Sequence, residues 1–377
     1  MVSKKYPLLL SALWLQATAS AQTAPVPPSE SWQFGAVIDA TATSRALALG
    51  GRDQGLQLGH SDLSASGPLS RHFQAQITGV LATHDGKLES AFEEAWVETR
   101  TLPLGLTARA GRFASQIGYL NQQHSHADDF VERPLLYRAF LGGHWNDDGV
   151  RLNVTLPTSV YWMWGVEAFR GRRLVAETDT PSGRVGAYTL TTKLGGDIDR
   201  SNSWQLGLSL LKSRRIATVE DDHGGEEEAH DHHGAAFGGR HTRLIDATWK
   251  WAPQGNNSHQ QVRVTVEAAQ IRGINAFAGP GDRHRASALS AVWRFHPNWE
   301  TGVRFDRLRL AMPHDDHFHA GRLDEAALML AWKPSHGQSV RLQYTTQRNA
   351  KGIDDPARRA LQLQYVVAFG AHGAHSY

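Results

Sequence analysis

The sequence predicts an all-β fold, a transmembrane antiparallel β-barrel of about sixteen strands, from three observations. Between Trp32 and Phe369 the chain divides into segments of about ten residues in which apolar and polar residues alternate. Charged residues lie in the middle of the polar faces, and aromatic residues gather near the ends of the apolar faces. Because successive side chains of a strand point to opposite faces, such segments suit lipid on one side and a wet interior on the other. A soluble β-sandwich would show the same alternation and is the alternative fold.

The alternation is clearest in the last predicted strand, where Leu361, Leu363 and Tyr365 share one face and Gln362 and Gln364 share the other. The predicted strands are 32–41, 55–63, 72–83, 88–98, 105–113, 148–157, 160–170, 185–195, 203–213, 242–252, 261–272, 285–296, 298–310, 322–333, 338–348 and 359–369. Sixteen is an even number, as in bacterial single-chain barrels. Fourteen or eighteen strands also fit, because the second strand and residues 137–145 are weakly patterned.

Two sets of side chains favour the barrel over the sandwich. The mid-strand charges of the polar faces are Arg263, Glu267, Arg304, Asp306 and Arg341. The aromatic residues near strand ends are Trp32, Trp249, Trp251, Trp293, Phe295, Trp299 and Trp332. Charges of mixed sign predict a wet lumen without strong charge selectivity, and the aromatic residues are typical of the girdles at a membrane interface.

The N-terminus predicts export. Lys4 and Lys5 precede the apolar stretch Tyr6–Ala17, which is too short to span a bilayer, and Ala19-Ser20-Ala21 has the pattern of a cleavage site. The expected organisation is a cleaved signal peptide over 1–21, a periplasmic spacer over 22–31 and a barrel in the bacterial outer membrane over 32–377. A buried N-terminal helix is the alternative for the first segment.

Composition limits the partners. The chain has no cysteine, so disulfide bonds do not stabilise it. Without residues 1–21 it has 37 basic and 37 acidic residues, and this balance of charge argues against a nucleic-acid partner. The expected partners are outer-membrane lipid and lipopolysaccharide, the barrel assembly machinery, divalent metal ions and, in a homotrimer, further copies of the chain. Either Phe369 or Tyr377 would serve as the terminal aromatic residue that the assembly machinery reads.

Connection lengths predict which end of the barrel faces outward. With a periplasmic N-terminus, the connections on the periplasmic side are 99–104, 158–159, 297 and 334–337. Those on the external side are 114–147, 171–184, 214–241 and 311–321. The first set is short and the second long, as in outer-membrane barrels.

One stretch resembles a known family. Residues 111–121 (GRFASQIGYLN), His124-Ser125-His126, residues 134–142 (PLLYRAFLG) and residues 147–150 (DDGV) are similar to a family of proteobacterial outer-membrane proteins, porin-like barrels often labelled as zinc-regulated. The resemblance covers about forty residues and implies an outer-membrane barrel linked to zinc supply. It implies no particular binding residues.

Three predicted loops carry candidate metal ligands. Loop 114–147 contains His124, His126 and Asp128. Two histidines separated by one residue in an extended segment place both imidazoles on one side, which is a half-site for Zn²⁺. In porins a long loop after the fifth strand often folds into the lumen, so this loop is predicted to form a constriction. Alternatively, the histidines only hydrogen-bond the loop to the barrel wall.

Loop 214–241 contains the most polar stretch, Glu220–His233, which has no large apolar side chain and is therefore predicted to face solvent. Its candidate ligands are His223, His230, Asp231, His232, His233 and His241. Its glycines predict weak, fast-exchanging capture of a divalent cation, and a merely solvated acidic loop is the alternative. Loop 311–321 offers His314, Asp315, His317 and His319.

These observations predict a passive channel whose external loops capture divalent metal, zinc in particular, and assist its uptake. Capture should weaken in acid as histidine is protonated. A general small-solute porin with incidental histidines is the first alternative, and a surface metal-sequestering or adhesive barrel without an open pore is the second. No serine–histidine motif indicates a hydrolase, so no enzyme activity and no required cofactor are expected.

Overall fold

The computed structural model describes residues 31–174, 185–214, 234–314, 317–353 and 358–370. Its strands are β1 (Gln33–Thr43), β2 (Gly55–Leu58), β3 (Ser61–Pro68), β4 (Phe73–His84), β5 (Lys87–Thr99), β6 (Leu106–Ala114), β7 (Asn146–Thr155), β8 (Tyr161–Phe169), β9 (Ala187–Asp197), β10 (Asn202–Ser213), β11 (His241–Trp251), β12 (Gln261–Arg272), β13 (Arg283–His296), β14 (Trp299–His314), β15 (His317–Ser335), β16 (Gln338–Lys351) and β17 (Arg359–Gly370). The predicted signal peptide, the spacer except its last residue, and Tyr377 lie outside the described residues.

The strands form one closed antiparallel barrel. Each strand pairs with its neighbours in sequence, and β17 pairs with β1 from Gly35↔Gly370 to Thr43↔Gln362. The short strands β2 and β3 both pair with β1 and occupy one position in the ring, so the seventeen strands fill sixteen positions. The predicted sixteen-stranded barrel is confirmed, and every predicted strand overlaps an observed one.

Burial follows the predicted alternation, with the apolar side outward. On β17, Leu361 is 50% exposed and Leu363 49%, whereas Gln362 and Gln364 are fully buried. The same inversion holds for the charged residues Arg304 and Asp306 of β14, which lie inside, beside exposed Val303 and Phe305. A soluble protein of this size would bury its apolar faces, so these strands face lipid.

The aromatic residues lie near one end of the barrel. Trp299 of β14 and Trp332 of β15 are directly paired, with ring centroids 6.4 Å apart, and both are exposed on the outer face. Trp293 and Phe295 of β13 lie in the same region, next to the turn that leads into β14. This arrangement is that of an interfacial girdle.

The connections are long at one end and mostly short at the other. The turns at 297–298 and 336–337 are each two residues, whereas 115–145 separates β6 from β7. The predicted loop 311–321 is wrong in form, because β14 and β15 continue to His314 and His317 and leave only two residues between them. Cross-strand hydrogen bonding of alternating residues extends this hairpin beyond its neighbours.

The long connection 115–145 is folded inside the barrel. It contains the 3₁₀ turn Ser125–Ala127 and a helix, α1 (Leu135–Leu141), all seven residues of which are buried. Pro134 precedes α1, and Gly142 ends it in the left-handed conformation that glycine tolerates best. Among the described residues, no helix has the length and hydropathy needed to cross a membrane.

Candidate functional site

The inserted loop is held by polar side chains of the inner wall. The backbone N–H of Tyr119 donates to Glu267 of β12, and that of Leu135 donates to Asp306 of β14. The N–H of Val131 donates to Gln343 of β16 at 2.8 Å. These bonds satisfy loop donors that would otherwise be buried without partners, so the wall residues determine where the loop lies. The predicted folding of this loop into the lumen is therefore observed.

Buried ion pairs reinforce the same contact. Arg304 bridges Asp306 and Glu325, at 2.6 and 2.7 Å, and its guanidinium also donates to the carbonyl of Glu132 in the loop. Arg138 of α1 completes the group by pairing with Glu325. All these charged groups are buried, and each carboxylate has a cationic partner, as buried charges require.

Helix α1 also brings apolar surface into the barrel. Phe140 and Leu136 belong to a buried cluster with Leu308 of β14 and Ile271 of β12. Tyr137 of α1 donates its hydroxyl to Glu267. Burial and the Glu267 carboxylate raise the pKa of Tyr137 well above its usual value, so the phenol stays neutral. Helix α1 thus contacts both apolar and ionised side chains of the inner wall.

A cluster of imidazoles and carboxylates joins the loop to the opposite wall. His124 Nδ1 lies 3.1 Å from Asp62 Oδ2 of β3 and 3.1 Å from Glu93 Oε2 of β5. His60 Nε2 lies 2.9 Å from the same Glu93 oxygen and 3.4 Å from His124 Nδ1. The ligand atoms of His60, Glu93 and His124 all lie within 4.8 Å of one another, and those of Asp62, His124 and His126 form a second such group that shares His124. We call His60, Asp62, Glu93 and His124 the lumen cluster.

Two more histidines surround the lumen cluster. His144 Nδ1 lies 2.6 Å from Glu93 Oε1, and His126 Nδ1 lies 3.2 Å from Asp62 Oδ1. Burial opposes a charge on His124, but the carboxylates of Glu93 and Asp62 outweigh it and raise the pKa of His124 well above its usual value. Burial dominates for His144 and lowers its pKa. The two rings therefore differ in protonation although both contact Glu93.

Irregular strand pairing brings these carboxylates inward. On β5, Glu94 pairs with Thr78 and Phe92 with Gly79, which leaves Glu93 as one extra residue, a β-bulge. A bulge interrupts the alternation, so Glu93 and Glu94 are both buried although they are adjacent. Both lie halfway along β5, at the middle of the barrel wall.

A second irregularity positions His60. Between the pairs Ala40↔Leu58 and Val37↔Asp62, β1 advances three residues while its partner advances four. The extra residue separates β2 from β3 and turns His60 toward the lumen, next to Asp62. Two breaks in regular pairing thus converge on one place, as they often do near functional sites.

The extended β14–β15 hairpin carries a different histidine group. His314, His317 and His319 are all exposed, and their ring centroids lie 4.7–5.3 Å apart. His314 is the direct cross-strand partner of His317. Their ligand nitrogens lie close enough together to hold one ion. We call this group the hairpin histidines.

The remaining predicted ligands lie elsewhere. Asp128 does not join the lumen cluster, because Arg133 binds its carboxylate at 2.7 Å. His241 is an exposed first residue of β11, paired with Arg272 of β12. His223, His230, Asp231, His232, His233 and Asp315 lie outside the described residues.

Sequence reasoning did not find His60, Asp62, Glu93 and His144. The signal for Glu93 is visible in the chain, because Phe92-Glu93-Glu94-Ala95-Trp96 breaks the alternation by one residue in the middle of a strand. A phase change of this kind indicates a bulge. His60 and Asp62 are brought to Glu93 by pairing across β4, which no local pattern reveals.

No family model matches the chain. A protein of Aquifex aeolicus (strain VF5), named only as uncharacterized, is 26% identical over 357 residues, which is 86% of this chain and 70% of that protein.

Solved structures share the architecture at low identity. Pseudomonas putida OprB at high pH has a TM-score of 0.59 at 12% identity, covering 90% of this chain and 94% of OprB. The anion-selective porin of Comamonas acidovorans has a TM-score of 0.54 at 11% identity, covering 90% and 99%. OmpT of Vibrio cholerae in its trimer form has a TM-score of 0.53 at 10% identity, covering 90% and 99%. The fold is that of the porin-like outer-membrane β-barrels. The names of these three structures say nothing about zinc.

Proposed function

We propose that this chain is an outer-membrane channel for small polar solutes, divalent metal ions among them, and that its external histidines capture zinc. The channel rests on one observation: a closed barrel with an apolar outer face and an ionised inner wall, narrowed by a loop folded into the lumen. A polar interior inside a lipid-facing barrel provides an aqueous path.

The hairpin histidines support capture. Three imidazoles on an exposed hairpin offer Zn²⁺ a partial ligand set and leave other positions for water, so binding is weak and exchange is fast. The histidine- and acid-rich stretch Glu220–His233 would add ligands on the same side. Captured ions raise the local concentration at the mouth and enter the lumen by exchange.

A general small-solute porin is the second candidate, and the mixed charge of the lumen favours it. Arg304 and Arg138 neutralise Asp306 and Glu325 at one stretch of wall, so these groups provide no field that selects cations. A sequestering or adhesive barrel without an open pore is the third candidate, favoured by the apolar packing of α1 inside the barrel.

The test is conductance of the purified chain in planar bilayers, followed by uptake in cells. Steady single-channel currents with a zinc-dependent reversal potential support a metal-permeable channel, and the absence of current supports the closed barrel. For capture, the triple variant His314→Ala, His317→Ala, His319→Ala should slow zinc uptake at limiting zinc, as should deletion of residues 220–233. Unchanged zinc uptake in both variants would exclude capture and support the general small-solute porin.

We further propose that the chain assembles as a homotrimer, as the Vibrio cholerae OmpT structure does. Chemical cross-linking in native membranes should then yield a species of three chains. A monomer alone would contradict this part of the proposal.

A further inference from the structure

We infer that the lumen cluster of His60, Asp62, Glu93 and His124 binds one divalent cation of the zinc class, and that this ion fastens the constriction loop to the barrel wall. The inference goes beyond the proposed function, because a channel for other solutes could hold such an ion permanently. It concerns a buried site in the middle of the wall, whereas capture concerns the exposed hairpin.

The spacing of the ligand atoms around His124 Nδ1 fits a zinc ion. With bonds of 2.0–2.1 Å, two ligands of a tetrahedral Zn²⁺ site lie roughly 3.3 Å apart. His124 Nδ1 lies 3.1 Å from Asp62 Oδ2, 3.1 Å from Glu93 Oε2 and 3.4 Å from His60 Nε2. Together with the 2.9 Å between His60 Nε2 and Glu93 Oε2, they give three ligand atoms, those of His60, Glu93 and His124, the mutual separations expected around one small cation, with Asp62 next to His124.

Buried carboxylate oxygens without hydrogen bonds also favour a bound ion. Asp62 Oδ1 and Glu93 Oε2 are buried, as are both carboxylates as a whole, yet neither oxygen has a hydrogen-bond partner. Ring nitrogens nevertheless lie 2.9 Å from Glu93 Oε2 and 3.2 Å from Asp62 Oδ1. A buried oxygen left without a partner is costly, and a cation bound to Glu93 Oε2 would satisfy that oxygen.

Charge balance points the same way. Among the described residues, neither Asp62 nor Glu93 forms an ion pair with lysine or arginine, unlike Asp306 and Glu325 across the lumen. Two carboxylates neutralise one divalent cation. Two imidazoles select Zn²⁺ and related transition ions over Ca²⁺ and Mg²⁺, which prefer oxygen ligands.

The surrounding histidines have the positions of supporting residues. His144 contacts the second oxygen of Glu93, and His126 contacts the second oxygen of Asp62. Groups that orient ligating carboxylates in this way set metal affinity, and their loss typically costs roughly 10–100-fold. Since His124 lies in the loop while Asp62 and Glu93 lie in strands, one bound ion links the loop to the wall.

The first test is zinc binding by the full-length barrel in detergent, with metal content measured after dialysis and affinity measured by competition with a chromogenic chelator. The wild type should retain one zinc per chain. Glu93→Gln, nearly identical in shape, should lower the affinity at least about 100-fold, and His144→Ala about 10–100-fold. Barrel folding of each variant is checked by heat-dependent gel mobility, and His60→Ala provides a second ligand variant if Glu93→Gln does not fold.

The matched control is the hairpin variant His314→Ala, His317→Ala, His319→Ala, which should retain the tight zinc. If the tight zinc disappears in this control and persists in Glu93→Gln and His60→Ala, the inference is wrong. It is equally wrong if the wild type retains no zinc.

The second test is conductance before and after zinc removal. Chelation should increase current fluctuations in the wild type, zinc should reverse the change, and Glu93→Gln should behave as the zinc-free channel with or without added zinc. Equal current noise in the zinc-bound wild type, the zinc-free wild type and Glu93→Gln would overturn the proposed fastening of the loop. A barrel that retains tight zinc but shows normal zinc uptake in both the hairpin variant and the 220–233 deletion would refute capture and leave this inference intact.

Discussion

Arg138, on the helix inside the barrel, forms a buried ion pair with Glu325 of β15, which in turn is bound by Arg304 of β14. The pair joins the constriction loop to strands that are distant from it in sequence. Both side chains are almost completely buried, so neither charge can be hydrated if its partner is removed.

Removing this pair should therefore loosen the constriction. Arg138→Ala leaves Glu325 less compensated and should lower the free energy of unfolding by about 3–5 kcal/mol. Chemical unfolding in detergent measures the loss. The control is Arg322→Ala, which breaks an exposed pair with Asp324 on the same strand and should cost less than about 1 kcal/mol. Equal effects of the two variants would contradict the anchoring role of Arg138.

A glycine in the loop should be intolerant of any side chain. Gly118 has φ +70°, and a Cβ there would lie 2.5 Å from the hydroxyl oxygen of Tyr137. Gly118→Ala should cost about 1–3 kcal/mol from backbone strain, and more from displacement of Tyr137. Gly86→Ala provides the control, because Gly86 has a similar φ of +72° and open space around it. Limited proteolysis should cut the loop faster in Gly118→Ala than in Gly86→Ala, and equal rates would contradict the close contact.

Because β17 faces lipid, the free-energy cost of a charged substitution on its outer face should depend on depth in the membrane. Leu363→Arg places a charge near the middle of the strand on the outer face and should destabilise the barrel by about 2–4 kcal/mol in lipid. Phe369→Arg, at the strand end, should cost only about 0–1 kcal/mol. Folding into lipid vesicles across a urea series measures both. A soluble sandwich would show no such dependence.

Zinc binding at the lumen cluster should have an unusual pH profile. The pKa of His124 is raised well above its usual value, so without metal the ring is protonated at neutral pH and zinc must displace that proton. Affinity should therefore keep rising with pH, by up to about tenfold per unit, beyond pH 7 and until pH exceeds this raised pKa. Zinc titrations from pH 6 to 8.5 measure it. An affinity that levels off near pH 6.5 would contradict the prediction.

The barrel was predictable because its signal is repeated. Each strand carries its own alternation, such as Leu361 and Leu363 against Gln362, and strand number follows from counting segments. The outer part of the β14–β15 hairpin is predicted as a loop, because residues 311–321 show no regular alternation of apolar and polar side chains. A strand outside lipid has no apolar side to reveal it.

The lumen cluster was only half predictable. His124 and His126 stand out by their spacing, but the acceptors Asp62 and Glu93 depend on two bulges and on pairing across β4. Asp128 is predicted as a third ligand because it lies near His124 and His126 in the sequence. Arg133, five residues away, is better placed to bind it, and sequence proximity does not reveal such competition.

The inserted loop also has a mechanical consequence. His124 touches Asp62 and Glu93 on one wall, and Tyr119 bonds Glu267 on β12. In the ring of sixteen positions, β5 and β12 are seven apart and so stand nearly opposite each other. The loop is therefore a cross-brace along a diameter, which resists flattening of the cylinder when lateral pressure in the bilayer changes. Residues 115–145 thus control both the shape of the barrel and its aperture. A substitution that removes the contacts of His124 or Tyr119 would alter the cross-section of the barrel as well as the opening within it.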